Sequence, residues 1–78
     1  MRARVEVRLK PGVLDVEGKA IEGALHGLGF GGVQGVRVGK TIEFDLEGDG
    51  AEAEAEVRRM CEQLLANTVI ESYRISLG

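Results

Sequence analysis

Residues 2–10 read Arg-Ala-Arg-Val-Glu-Val-Arg-Leu-Lys, a strict alternation of polar and apolar side chains. Side chains on a strand point to opposite faces in turn, so Ala3, Val5, Val7 and Leu9 share one face. Arg2, Arg4, Glu6, Arg8 and Lys10 share the other. The pattern predicts a strand with one buried and one wet face, which requires a sheet covered on one side only. Pro11-Gly12 ends it, because proline brings no ladder donor and glycine turns freely.

The rest of the chain alternates helical and strand patterns. Asp15 suits an N-cap, with Glu17 in the first turn, and Ile21, Ala24, Leu25 and Leu28 form one helical stripe. Gly27, Gly29, Gly31 and Gly32 stop that helix. A second strand is expected over about 33–38, with Val36 and Val38 on one face, and a third over about 41–47. A two-residue loop at Gly39-Lys40 would oppose their apolar faces, so a three-residue loop or a bulge near Gly35 is expected. Gly48-Asp49-Gly50 reads as a turn, and Asp49 with Glu52 as a capping box. Ala53, Val57, Met60, Cys61, Leu64 and Leu65 make the stripe of a second helix. Asn67 suits its left-handed end. A fourth strand runs from about Val69 to Leu77, with Glu71 unplaced on its apolar side.

The order β-α-β-β-α-β predicts an α+β, ferredoxin-like split βαβ domain spanning residues 1–78. Right-handed crossovers put both helices on one face of a four-stranded antiparallel sheet ordered 4-1-3-2. The basic outer face of the first strand would then lie beside Glu43, Asp45 and Glu47 of the third, which favours this order through cross-strand charge pairs.

A chain of 78 residues removes only about 60% of its unfolded surface from water on folding, and small scaffolds lean on a staple. One cysteine, Cys61, allows no internal disulfide, and one histidine, His26, cannot complete a structural zinc site with it without several carboxylates. Association with further copies is the remaining staple. The net charge of -3 and three aromatic residues argue against a nucleic-acid face. No apolar run reaches the ~20 residues of a membrane span, and the N-terminus has no signal-peptide core, so a reducing, cytoplasmic setting is expected.

Two glycine motifs fail on context. Gly27-Leu28-Gly29-Phe30-Gly31-Gly32 spells a dinucleotide fingerprint, but follows a helix instead of opening one. Gly35 to Thr41 falls one residue short of a P-loop and precedes no helix whose dipole could hold a phosphate. Cys61 lies on an apolar stripe, where a thiol is inert. No nucleophile–base–orienter set can be assembled, so no catalytic, cofactor or metal residue is assigned.

Three blocks carry a resemblance. The first is Lys10-Pro11-Gly12-Val13-Leu14-Asp15 with Gly18-Lys19-Ala20-Ile21 and Ala24-Leu25. The second is Val36-Arg37-Val38-Gly39-Lys40 with Glu43. The third is Cys61-Glu62 and Leu64-Leu65-Ala66-Asn67, then Val69-Ile70-Glu71 and Tyr73. In this order and spacing they resemble the PurS family, subunits of phosphoribosylformylglycinamidine (FGAM) synthase. Val16 departs from the proline frequent there in the family.

The resemblance implies a small non-catalytic subunit in de novo purine biosynthesis. It would bridge an ATP- and Mg²⁺-binding synthetase subunit (PurL) and a glutaminase subunit (PurQ), so that ammonia reaches formylglycinamide ribonucleotide. It also implies a homodimer or a dimer of dimers. The partner-interface candidates are Gly18, Lys19, Arg37, Gly39, Lys40, Asn67, Thr68, Glu71 and Tyr73, polar block residues in excess of what packing needs. Two other readings stand beside this one. The first is a free-standing ferredoxin-like small-molecule or regulatory module. The second is a small enzyme pairing His26 with another protomer's carboxylate.

Overall fold

The computed structural model describes residues 1–48 and 50–78, so the capping box expected at Asp49 lies outside the described residues. The elements are β1 (Arg2–Leu9), α1 (Val16–Gly27), β2 (Gly39–Asp45), α2 (Gly50–Met60), a π-helical turn (Cys61–Leu65) and β3 (Glu71–Leu77).

β1 sits at the centre of a three-stranded antiparallel sheet ordered β2-β1-β3. Its neighbours are the expected third and fourth strands. The register sets Val5 opposite Ile42 on one side and Ile75 on the other, so three apolar faces coincide. Ala3, Val5 and Val7 are buried against Val57, Cys61 and Ala66, with Ile42, Phe44, Tyr73 and Ile75 closing the rim. The other face carries the charges. Arg2 pairs with Asp45 at 3.3 Å, while Arg4, facing Glu43 in register, pairs instead along its own strand with Glu6 at 3.6 Å. The backbone amides of Arg2 and Gly78 each donate to the other's carbonyl.

The expected second strand is not formed: residues 33–38 have no ladder partner among the described residues, and the sheet keeps three strands. The expected loop or bulge between the second and third strands therefore has no hairpin to close. Nor do both helices cover one face. α2 covers the sheet through Ala53 and Val57, whereas no residue of α1 joins the core. α1 and residues 28–38 form an arm instead. The molecule measures 49 × 24 × 14 Å, and its radius of gyration is 15.9 Å, against about 11.5 Å for a compact chain of this length. The α1 stripe is short and glycine-interrupted, and its Leu28 and the following Phe30 are 74% and 57% exposed.

Three local expectations change as well. The π turn inserts one residue into the period of α2, with the Ala66 amide bonded to the Cys61 carbonyl. The extra residue keeps Cys61 buried and turns Leu64 out to 82% exposure. Among the described residues none other than glycine has positive φ, so Asn67 is not left-handed; its side-chain oxygen accepts from the Val69 amide, 3.2 Å away. Finally, β3 starts at Glu71 and leaves Val69 outside and exposed. Glu71 stands on the inner side at the strand's first position, where its carboxylate turns back to accept from the Asn67 amide at 2.6 Å.

Candidate interaction site at the root of the arm

The arm joins the body where β1 ends and β2 and β3 begin. Asp15 governs this junction. It caps α1 by accepting from the Gly18 amide at 2.7 Å, and its second oxygen accepts from the Val38 amide at 2.6 Å. Further along α1, Glu22 accepts from the Val36 amide at 3.1 Å, and His26 Nε2 lies 2.7 Å from the Val33 carbonyl. Asp15, Glu22 and His26 are spaced seven and four residues apart. That spacing sets them on one side of the helix and replaces the missing ladder with side-chain acceptors and a donor. These backbone amides hold the Asp15 carboxyl below its ordinary 3.8, and the Val36 amide likewise lowers Glu22 from 4.5.

Gly18 is required by this packing. A Cβ there would lie 2.4 Å from the Val36 carbonyl oxygen, so only glycine lets the extended segment reach the helix. The far end is closed by a Schellman motif: the amides of Gly29 and Phe30 bond the carbonyls of His26 and Leu25, with Gly29 at φ +99°.

Arg37 fastens the arm to the first loop, donating to the Val13 and Lys10 carbonyls at 2.9 and 3.2 Å. Lys10 in turn reaches the β3 side, with its Nζ on the Thr68 carbonyl and its amide on the Ile70 carbonyl, each at 2.8 Å. The structure thus gathers Gly18, Arg37, Gly39, Lys40, Asn67, Thr68 and Glu71 at one end of the sheet, and a 390 Å³ cleft there is lined by Asp15, Val38, Gly39, Lys40 and Glu71.

Two candidates fall elsewhere. The side chain of Lys19 is exposed and makes no bond to the junction. Tyr73 donates from its hydroxyl to Glu62 at 2.7 Å, which ties β3 to the π turn and raises the phenol above its ordinary value. Sequence reasoning missed Asp15 and Glu22 as anchors of the arm, since a capping residue and a helix-surface glutamate carry no sign of a second partner. Cys61 is buried in the core, and burial raises its thiol pKa. Among the described residues no group of three His, Cys, Asp or Glu could hold a metal ion, and no helix is long and apolar enough to cross a membrane.

These features define a class: a small α+β interaction module with a helix on one sheet face, an open opposite face and a projecting arm. Residues 2–78 match the family model described as "PurS: Phosphoribosylformylglycinamidine (FGAM) synthase". The chain belongs to the PurS family. It is 47% identical over 73 residues to the FGAM synthase subunit PurS of Bacillus subtilis, covering 94% of this chain and 87% of that one. It superposes on a solved structure of B. subtilis PurS with a TM-score of 0.89 at 45% identity, covering 96% and 94% of the two chains. A solved structure of PurLQS from Thermotoga maritima contains a chain that matches at TM-score 0.82 and 32% identity, covering 96% of this chain and 93% of that chain.

Proposed function

We propose that this chain is the small, non-catalytic subunit of an FGAM synthase complex. In that role it joins a PurL-type synthetase, where ATP and Mg²⁺ are used, to a PurQ-type glutaminase in the cytoplasm. The observation that carries the reading is the full-length family match together with the likeness to the PurS chain of a PurLQS assembly. The arm root is the contact region we favour, because it concentrates the polar block residues at an exposed end of the molecule. Co-sedimentation with PurL and PurQ, with and without Mg-ADP and glutamine, tests this. A ternary complex is expected, and failure to bind either subunit under every condition overturns it.

The arm supports self-association. Ile21, Leu28 and Phe30 stay exposed on a chain with a thin core, and an uncovered apolar stripe favours a second surface. The expected second strand, residues 33–38, also belongs to this proposal. The amides of Val36 and Val38 are taken by α1, while no hydrogen bond among the described residues engages the backbone of Arg37. An extended segment with one free edge can add to a strand of a second copy. A homodimer built through the arm would cover the stripe and lengthen a sheet in one step.

A further inference from the structure

The sheet face that carries no helix holds a cavity of about 430 Å³ near the arm end. Strand register builds its floor. Arg8 stands between Gly39 on β2 and Ser72 on β3, and one step along the same face Glu6 stands between Thr41 and Arg74. Lys40 contributes to the rim. A Cβ on Gly39 would lie 3.1 Å from Arg8 Cγ and 3.4 Å from its Nε, so the Arg8 side chain lies across the bare glycine.

The charge there is unbalanced. Glu6, the cavity's carboxylate, is already engaged by Arg4. Among the described residues, Arg8 and Arg74 have no carboxylate within salt-bridge distance. Two guanidinium cations collect beside two hydroxyls in a chain whose net charge is -3. Arg8 and Arg74 are diagonal neighbours on adjacent strands, about 7–8 Å apart at the backbone. Two planar guanidinium forks at that separation can close on one tetrahedral oxyanion. The aromatic residues of the strands, Phe44 and Tyr73, pack against the core on the other side, which leaves no stacking surface for a base.

We infer that this cavity binds a phosphate group. Arg8 and Arg74 form forked hydrogen bonds to its oxygens, and the Ser72 and Thr41 hydroxyls donate. The site lies within one chain and does not depend on the bridging role proposed above.

The test is an NMR titration of the full chain at fixed ionic strength with inorganic phosphate, ribose 5-phosphate and ADP. Saturable shifts at the amides of Arg8, Lys40, Ser72 and Arg74 are expected. Tighter binding of either ester assigns the site to phosphate esters, and equal binding of all three assigns it to the phosphoryl group alone. The double variant Arg8→Gln/Arg74→Gln should bind at least about tenfold more weakly, the effect of losing one charge-assisted hydrogen bond, with the Val5 and Val57 resonances unchanged. Glu6→Gln should bind more tightly, a gain that misfolding cannot produce. Absence of saturable shifts with all three probes overturns the inference. So does unchanged affinity in the double variant, or no gain in Glu6→Gln.

Discussion

Gly18 lies directly beneath the Val36 carbonyl, so near that a β-carbon would stand 2.4 Å from its oxygen. Both atoms belong to backbone that is held in place by Asp15 and Glu22. Neither can swing aside as a long side chain could. The contact therefore decides the sign of a substitution that helix propensity would favour.

Gly18→Ala should destabilise the protein by about 1–3 kcal/mol, the usual range for an overpacked contact. Propensity alone would give a gain of about 0.5–1 kcal/mol for alanine in a helix. Thermal unfolding reads the sign. Hydrogen exchange should show the loss first at the amides of Val36 and Val38, with the sheet amides of Val5 and Val7 protected for longer.

Acid should loosen the arm before the sheet. The Asp15 and Glu22 carboxyls are held below their ordinary 3.8 and 4.5 by backbone amides. A carboxyl depressed in the folded state adds stability that is fully present above those ordinary values. That stability is lost as the pH falls below them and through the depressed ones. The protection factors of the Val36 and Val38 amides, followed from pH 6 down to pH 2, should fall over the acid end of that range. The acid loss of protection at Val38 should vanish in Asp15→Asn, which already lacks the charge. Persistence of the full effect in that variant would contradict the assignment.

Self-association through the arm predicts a separation of folding from assembly. Phe30→Ser and Leu28→Ser remove exposed apolar groups and touch no core residue. Sedimentation should find these variants shifted toward monomer at concentrations where the parent chain is dimeric, with an unchanged circular dichroism spectrum. A parent chain that is monomeric at high concentration rules the arm out as a self-interface.

Lys40→Glu should weaken assembly with PurL and PurQ while the isolated chain stays folded, since no hydrogen bond or ion pair of Lys40's side chain occurs among the described residues. Arg37→Glu is a less selective probe than the sequence suggests. Its guanidinium spans the Val13 and Lys10 carbonyls, so charge reversal also frees the root of the arm. Pull-down efficiency set beside the melting temperature distinguishes the two effects.

Cys61 should react slowly with a thiol reagent in the native state and rapidly in denaturant. Its side chain is buried among Val5, Val57 and Ala66, and burial disfavours the thiolate that such reagents need. Fast native labelling would show that the π turn opens readily.

The parts of the fold legible in the sequence are those written by period. The alternation of residues 2–10 gives β1 its central place, and the acidic face of 43–47 identifies its neighbour. The stripe of α2 is readable as far as Cys61, where the π turn shifts the phase; an i→i+5 bond leaves no compositional trace. Residues 33–38 mislead for a physical reason. Val36 and Val38 do mark an extended segment, but the partners of its amides are side chains of a helix, and Glu22 and His26 resemble any solvated helix surface. The junction residues were legible as a group through the family blocks. Their geometry, above all the contact of Gly18 with Val36, depends on chain crossings that spacing does not encode.

The central position of β1 also constrains how the molecule comes into being. β1 leaves the ribosome before either of its neighbours in the sheet, and the second of them is available only when residues 71–77 have emerged. Until then the inner faces of β1 and α2 lack one wall, and one edge of β1 is unpaired. Distant pairings of this kind slow folding, because loop closure must precede the contacts that stabilise it. The sheet can therefore be completed only after the last strand emerges, and a nascent chain halted before Glu71 should be exposed to chaperones or proteases before it could find a partner subunit.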